Sequence, residues 1–320
     1  MSTSSEDIPS HFVAPGSAVS DVPIFLTGFA RSGTTWINQL MQEYFDAGFV
    51  NEGQFIISFG NGLPRYGNLR EVGSRERLIH DLANDEYFSI LKRNYCIEID
   101  WGRIRQSYES FAGIVKGVLI QIAERLGKHR IGSKYPVFGR HLTLLNNLFP
   151  DCRVIHLVRD GRDCALSHKM VRWGHQNTYS AAISWRRYLE AARHSSKQLR
   201  SRYLEIRYED LLMEPGATMR ELERFITGRD EYSITTRFLE GHSVLKTDKV
   251  ARWRHAMPTG SQAIFEAVAG DMLKLYDYPV TGIDHATPFL FKAGYLAQDQ
   301  LMREYWRLAR KVFKGIPEHK

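Results

Sequence analysis

The sequence predicts an α/β fold: a central parallel sheet with helices on both faces, a three-layer sandwich. Three observations predict it. Short apolar runs alternate along the chain with stretches of 3.6-residue periodicity, as βαβ units do. The stretch GFARSGTTW, residues 28–36, lies between one such run and one such helix. No internal repeat or Pro/Ser-rich linker interrupts the 320 residues. They read as one domain over residues 21–320, preceded by a disordered leader over residues 1–20.

The elements follow in order. PIFLT, residues 23–27, is apolar and bounded by Pro23 and Gly28, which suits a buried strand. Trp36, Ile37, Leu40, Met41, Tyr44 and Phe45 then share one helical face, with Gly48 as the stop. Residues 54–130 mix glycines and aromatics and are less regular, with a candidate helix from Phe111 to Leu126. The aromatics there (Phe55, Phe59, Tyr66, Tyr87, Tyr95, Trp101, Tyr108) read either as packed loops or as a surface holding a substrate. Regularity returns at Arg130: RIGSKYP as a strand, HLTLLNNLF as a helix, CRVIHLVR as a strand ending in the turn DGRD. A long amphipathic helix spans Ala181 to Arg200, YLEIRY is a strand, and Pro215 opens another helix. A C-terminal helical segment is expected over about residues 285–320, where LMREYWRLARKVFK puts apolar residues on one face and basic ones opposite. It reads as a helix docked on the domain or as a membrane-surface helix.

Charge narrows the function. Lys and Arg number 43 against 36 Asp and Glu, a net charge of +7, which favours an anionic partner. The excess is scattered with no run of five or six basic residues, which argues against a nucleic-acid tail. The three cysteines, Cys96, Cys152 and Cys164, form neither C-x-x-C nor an even framework, and read as buried thiols in a reducing compartment. No Cys/His spacing suits a metal. The leader lacks the layout of a signal peptide, and no apolar run approaches the ~18 residues of a membrane span. The expectation is a soluble, cytoplasmic protein.

The chemistry starts at the loop. Gly28 and Gly33 fit the spacing of the phosphate-binding pattern G-x-x-x-x-G-K-[ST], and Thr35 stands at its Ser/Thr position, but Thr34 replaces the lysine. Backbone N–H groups at a glycine-turned helix start bind an anion whatever replaces lysine. Ser32, Thr34 and Thr35 add hydroxyls, and Arg31 adds a fixed cation.

ARSGTTW resembles the 5′-phosphosulfate loop of the sulfotransferases that use 3′-phosphoadenosine 5′-phosphosulfate (PAPS), typically K/R-S-G-T-T-[WL]. The resemblance implies a P-loop NTPase-like fold. It implies that Ser32, Gly33, Thr34 and Thr35 hold the 5′ group, that Arg31 neutralises charge on the bridging oxygen, and that Trp36 lies on or near adenine. VIHLVRDGRDCALSHK resembles the family's 3′-phosphate segment, an arginine ending a strand with a serine eight residues on; Arg159 and Ser167 have that spacing. YLEIRYEDLLMEP resembles its Y-E-D-L segment, which places Tyr208 near the nucleotide and leaves Glu209 and Asp210 to turns and caps. In VLKTDKVARWRHAMP, Lys246 takes the place of a basic residue that closes over the 3′ phosphate, with Lys249 and Arg252 as rivals.

The resemblance also bears on the base. The cytosolic branch uses a histidine two residues after a lysine; here Lys134 is present but Pro136 occupies the histidine's place, and proline cannot take a proton. The tyrosylprotein branch and several polysaccharide-modifying members use a glutamate after the first helix. Glu52 in NEGQFI matches that layout, as the base, with Lys134 and Arg31 stabilising the transferring group; it reads otherwise as a solvated loop residue. His156, between Ile155 and Leu157 in mid-strand, reads as packed. The expectation is sulfuryl transfer from PAPS, leaving adenosine 3′,5′-bisphosphate (PAP), to a hydroxyl or amine of a small molecule, natural product or glycan, without a metal. The rivals are a kinase with a degenerate loop and a non-catalytic nucleotide-binding protein.

Overall fold

A computed structural model describes residues 19–50, 52–242, 245–282, 294–302 and 304–305. Among them, five strands form one sheet in the order β2-β3-β1-β4-β5, and every neighbouring pair is parallel. The strands are β1 (Ser20–Gly28), β2 (Ala47–Gly48), β3 (Arg130–Lys134), β4 (Arg153–Val158) and β5 (Tyr203–Arg207). The chain leaves β1 for the β2/β3 side through α1 (Thr34–Glu43), then crosses to the β4/β5 side. β1 is therefore the point where the winding reverses, and a crevice opens at its C-terminal end.

Alternation along β1 shows why helices cover both faces. Phe25 packs into one apolar cluster, with Ile131 and Val154, under the helices between β2 and β4. Ile24 and Leu26 pack into another, with Ile155 and Leu157, under α1 and the helices after β5. Successive side chains of a strand point to opposite faces, so the consecutive apolar residues Ile24, Phe25 and Leu26 need two cores. Helices on both sides of the sheet make the three-layer α/β architecture that the alternating pattern predicts.

The remaining helices fall between and after the strands. α2 (Gln54–Gly62), α3 (Val72–Ala83), α4 (Glu86–Tyr95), α5 (Trp101–Ser107) and α6 (Phe111–Arg125) join β2 to β3. α7 (Leu142–Leu148) precedes β4, and α8 (Gly161–His168) and α9 (Thr178–Ser196) precede β5. α10 (Tyr208–Met213), α11 (Pro215–Thr227), α12 (Ser233–Gly241), α13 (Trp253–Ala256) and α14 (Thr259–Leu275) follow it, and residues 294–302 are again helical.

Several expectations need correction. α1 ends at Glu43 rather than running to Gly48, which is part of β2; a Cβ at Gly48 would meet the Ala123 backbone at 2.6 Å, so close packing on α6 explains this glycine. Residues 54–107, expected to be irregular, are largely helical. Phe55, Phe59, Tyr66 and Tyr87 are buried there, with Phe55 and Tyr87 ring centroids 4.8 Å apart, so these four rings pack the core. α9 begins three residues earlier than expected and ends at Ser196. Cys152 and Cys164 are buried, whereas Cys96 is exposed in the left-handed residue that ends α4. The leader falls outside the described residues up to residue 18, and Ser20 already belongs to β1. Most of the basic C-terminal stretch also lies outside them.

Candidate active site

Most candidate residues sit at or just beyond the C-terminal end of a strand, whereas Ser167 lies in α8 and Lys246 after α12. β1 delivers Arg31 to Trp36, β2 Glu52, β3 Lys134, β4 Arg159 and β5 Tyr208.

The loop after β1 is built by close approach. A Cβ on Gly28 would stand 2.6 Å from the Leu157 carbonyl oxygen of β4 and 2.9 Å from Thr34 Cγ2. The Ser32 N–H donates to the Phe29 carbonyl at 3.0 Å, and the backbone turns through left-handed conformations at Arg31 (φ 72°) and Gly33 (φ 103°). α1 then starts at Thr34 with Gly33 as its N-cap, which has no side chain to accept from the first turn. First-turn N–H groups have no acceptor within their own helix, so they face the crevice as an anion site. Thr34 is buried and Thr35 exposed. Ser32 is fully buried with its hydroxyl 3.7 Å from Cys164 Sγ, so in this state it supports the loop from behind.

The second segment closes on the first. Arg31 Nε donates to Ser167 Oγ at 2.9 Å. Arg159, 7% exposed, donates to the Arg31 carbonyl at 3.3 Å and to the Lys249 carbonyl at 2.7 Å, and lies 4.4 Å from the Tyr208 ring centroid. Tyr208 in turn packs against Gly33, where a Cβ would come within 2.8 Å of its ring, and meets Trp36 edge to face at 6.0 Å. Arg31, Gly33, Trp36, Arg159, Ser167 and Tyr208, spread over 178 positions of sequence from 31 to 208, thus form one connected group. Lys246 is exposed, and no hydrogen bond or ion pair joins it to the group among the described residues. Its rival Lys249 enters through its backbone carbonyl.

The turn that carries Arg159 is braced by residues outside the expected set. Glu209 Oε1 accepts from the Asp160 N–H at 3.0 Å and its Oε2 from the Tyr278 hydroxyl at 2.8 Å; burial pushes its carboxyl up. Arg162 is fully buried, donating to both Asp160 oxygens and to Glu266, with its guanidinium 3.5 Å from the Trp253 ring centroid. Asp163 Oδ1 accepts from the Trp253 N–H at 2.8 Å. The charged pattern DGRD in a strand-to-helix turn was visible in the sequence. Its partners, 49 to 104 positions away, were not.

Lys134 and Glu52 form the other flank. Lys134 Nζ donates to Glu52 Oε1 at 2.8 Å, and the Glu52 N–H donates back to the Lys134 carbonyl at 3.0 Å. The lysine side chain is 5% exposed and the glutamate 51%. Glu52 is itself left-handed (φ 65°), and a Cβ on the next residue, Gly53, would collide with Ser133 Oγ of β3. Lys134 pairs in register with Leu26 of β1, which sets this ion pair one strand spacing from the loop. His156 is packed, as expected: it is buried in β4 and hydrogen-bonded to Tyr203 and Glu205.

Among the described residues no group of His, Cys, Asp and Glu is placed to hold a metal ion, and no helix is long and apolar enough to cross a membrane.

The chain belongs to the sulfotransferase family, whose family model matches residues 23–230. It is 25% identical over 217 residues to protein-tyrosine sulfotransferase 1 of Danio rerio, an alignment covering 64% of this chain and 53% of that protein. The chain thus spans about half the length of that relative. Among solved structures it is similar to the sulfotransferase domain from the Synechococcus PCC 7002 olefin synthase (TM-score 0.48, 19% identity, 83% of this chain and 98% of that one). It is also similar to the sulfotransferase domain from the curacin biosynthetic pathway (TM-score 0.47, 17% identity, 82% and 100%).

Proposed function

We propose that the protein moves a sulfuryl group from PAPS to a hydroxyl or amine of an acceptor, within a single sulfotransferase domain and with Glu52 as the general base. The observation that carries this reading is the Arg31–Ser167 hydrogen bond. It joins the anion-binding loop to the segment expected to hold a second phosphate, and a donor with phosphates at both 5′ and 3′ positions needs both. The cradle fits such a ligand: the first turn of α1 is uncapped, and the buried Arg159 has an Nε without a partner among the described residues.

The donor supplies an activated sulfuryl group; this chain's residues bind and orient it. The N–H groups from Gly33 to Thr35 take the 5′ end, Arg159 and Ser167 the 3′ phosphate, and Trp36 and Tyr208 flank adenine. Arg31 and Lys134 set two cations where negative charge grows between sulfur and the leaving oxygen. Glu52 accepts the acceptor's proton on the oxygen that Lys134 does not hold. Its half exposure gives an incoming hydroxyl access, while the buried ammonium fixes its direction.

The acceptor is a small molecule, natural product or glycan. A panel of phenols, alcohols, amines, oligosaccharides and a tyrosine peptide, read by labelled sulfate uptake, assigns its class.

The test pairs binding with turnover. PAP should raise the melting temperature by a few degrees at about a hundred times its Kd, while 5′-AMP and ATP should not. Glu52→Gln keeps an oxygen for Lys134, so PAP binding should persist while turnover falls about 10²- to 10⁴-fold. A shift with ATP alone would replace this reading with a kinase; full activity in the variant would remove Glu52 as base.

A further inference from the structure

We infer that the helical segment at 294–302 is a positioning element for the loop after β1, acting through Asp299, His175 and His168. The inference rests on the reading that this loop holds the donor. The segment lies outside residues 23–230, the stretch that the family model matches.

The contacts form an unbroken chain. Asp299, whose side chain is 1% exposed, places Oδ2 2.8 Å from His175 Nδ1 and accepts from the Gln176 N–H on Oδ1 at 3.0 Å. Both partners lie in the connection between α8 and α9. A second tie holds the segment in place: the Tyr295 carbonyl accepts from Asn177 Nδ2 at 2.8 Å and from Ser180 Oγ at 3.3 Å. The His175 N–H donates to His168 Nδ1 at 3.3 Å. With Nδ1 accepting, the proton of a neutral imidazole must sit on Nε2, and His168 Nε2 lies 3.1 Å from the Ala30 carbonyl as its donor. Ala30 immediately precedes Arg31.

This matters because Arg31 is strained. It is a non-glycine residue at φ 72°, a conformation that persists only where the surroundings over-determine it. From within the site, Arg31 is held by Ser167 and Arg159, which are also expected ligands of the 3′ phosphate. The His168 bond to Ala30 is a hold from outside the site, and it stays in place when those side chains turn to a ligand. His168 also packs on Phe29 at 5.2 Å and on His175 at 5.1 Å between ring centroids. Removing Asp299 frees the His175 connection to move, takes the acceptor bond from His168 Nδ1, and lets the Nε2 proton and the Ala30 carbonyl part.

The test is Asp299→Ala in the full chain, read in two ways. The Kd for PAP and the KM for the donor should rise about tenfold, with the KM for the acceptor unchanged. Amide hydrogen exchange should speed up at residues 29–33 and 168–177 while β1, β3 and β4 keep their protection. A general loss of stability would instead loosen the strands as well. If Asp299→Ala does not fold, Asp299→Asn takes its place: it keeps an oxygen for the Gln176 N–H, loses the charge facing His175, and should give the same pattern at smaller amplitude. Wild-type affinity for PAP, or wild-type exchange at residues 29–33, overturns the inference. If the wild-type protein itself binds no PAP, the donor assignment fails instead, and the exchange measurement still decides whether the segment holds the loop.

Discussion

Gly33 is where backbone conformation and site assembly meet in one residue. Its φ of 103° lies where an L side chain is strained, and the space a Cβ would fill holds the Tyr208 ring. Gly33→Ala therefore carries two costs. The left-handed backbone alone costs about 1–2 kcal/mol, and the displaced Tyr208 ring would drag the Arg159 guanidinium that lies over it. Urea unfolding should show a loss of at least that size, and PAP binding should weaken further than stability does. A variant as stable as wild type would mean that the turn relaxes, and that Tyr208 does not read the loop. The sequence made the loop glycines legible because their spacing is short-range. It did not reveal that Ser32 faces Cys164, nor that Arg31 and Glu52 both adopt left-handed backbones; such choices are imposed by packing against other strands.

At the scale of elements, the legible parts were those with strong local patterns. The apolar run PIFLT marked β1, RIGSKYP, CRVIHLVR and YLEIRY read as strands, and helical spacing marked α1. Two things escaped. β2 has two residues and no pattern, and exists only through pairing with Arg130 and Ile131. The helices α4 and α5 are short and mixed in character, yet Asp85 and Asp100 accept from their first-turn N–H groups; these N-cap residues were readable signals. The β4–α8 turn shows what local pattern cannot carry. Three of its residues reach the segment around Trp253: Arg159 holds the Lys249 carbonyl, Arg162 lies on the Trp253 ring, and Asp163 caps the Trp253 N–H. Burial pushes the Asp163 carboxyl up, so the N–H it accepts helps to fix it in place. Asp163→Ala would leave that buried N–H unpaired, at about 1–3 kcal/mol, and loosen the segment from Lys249 to Met257. Trypsin should then cut after Lys249, Arg252 or Arg254 faster than in wild type. Identical digestion of the two proteins would show that Arg159 and Arg162 hold the segment without it.

Across the whole molecule, the site exists because parallel strands all present their C-terminal ends to the same side, and because the winding reverses at β1. The same compaction buries ionisable groups, and this makes folding depend on pH. Burial first, and then the neighbouring His175, push the His168 ring down to about 3, whereas in the unfolded chain it takes up a proton near 6.5. A neutral imidazole in the fold therefore stabilises fully above about pH 6.5. That contribution drains as the pH falls toward 3, at up to about 1.4 kcal/mol per unit. His141, also lowered by burial, adds in the same direction. Asp163 and Glu209 run the other way: burial raises their carboxyls, so their contribution is present at acid pH and lost as the pH rises through their folded values. Comparing wild type with His168→Gln isolates the histidine, because the opposing carboxyls are common to both. Urea unfolding between pH 7.5 and 5 should show the wild type losing stability faster on acidification, with the gap between the two proteins shrinking as the pH falls. Parallel curves would mean that His168 takes up a proton in the fold as readily as in the unfolded chain, and a gap that widens on acidification would mean that its bond to the Ala30 carbonyl comes from an imidazolium.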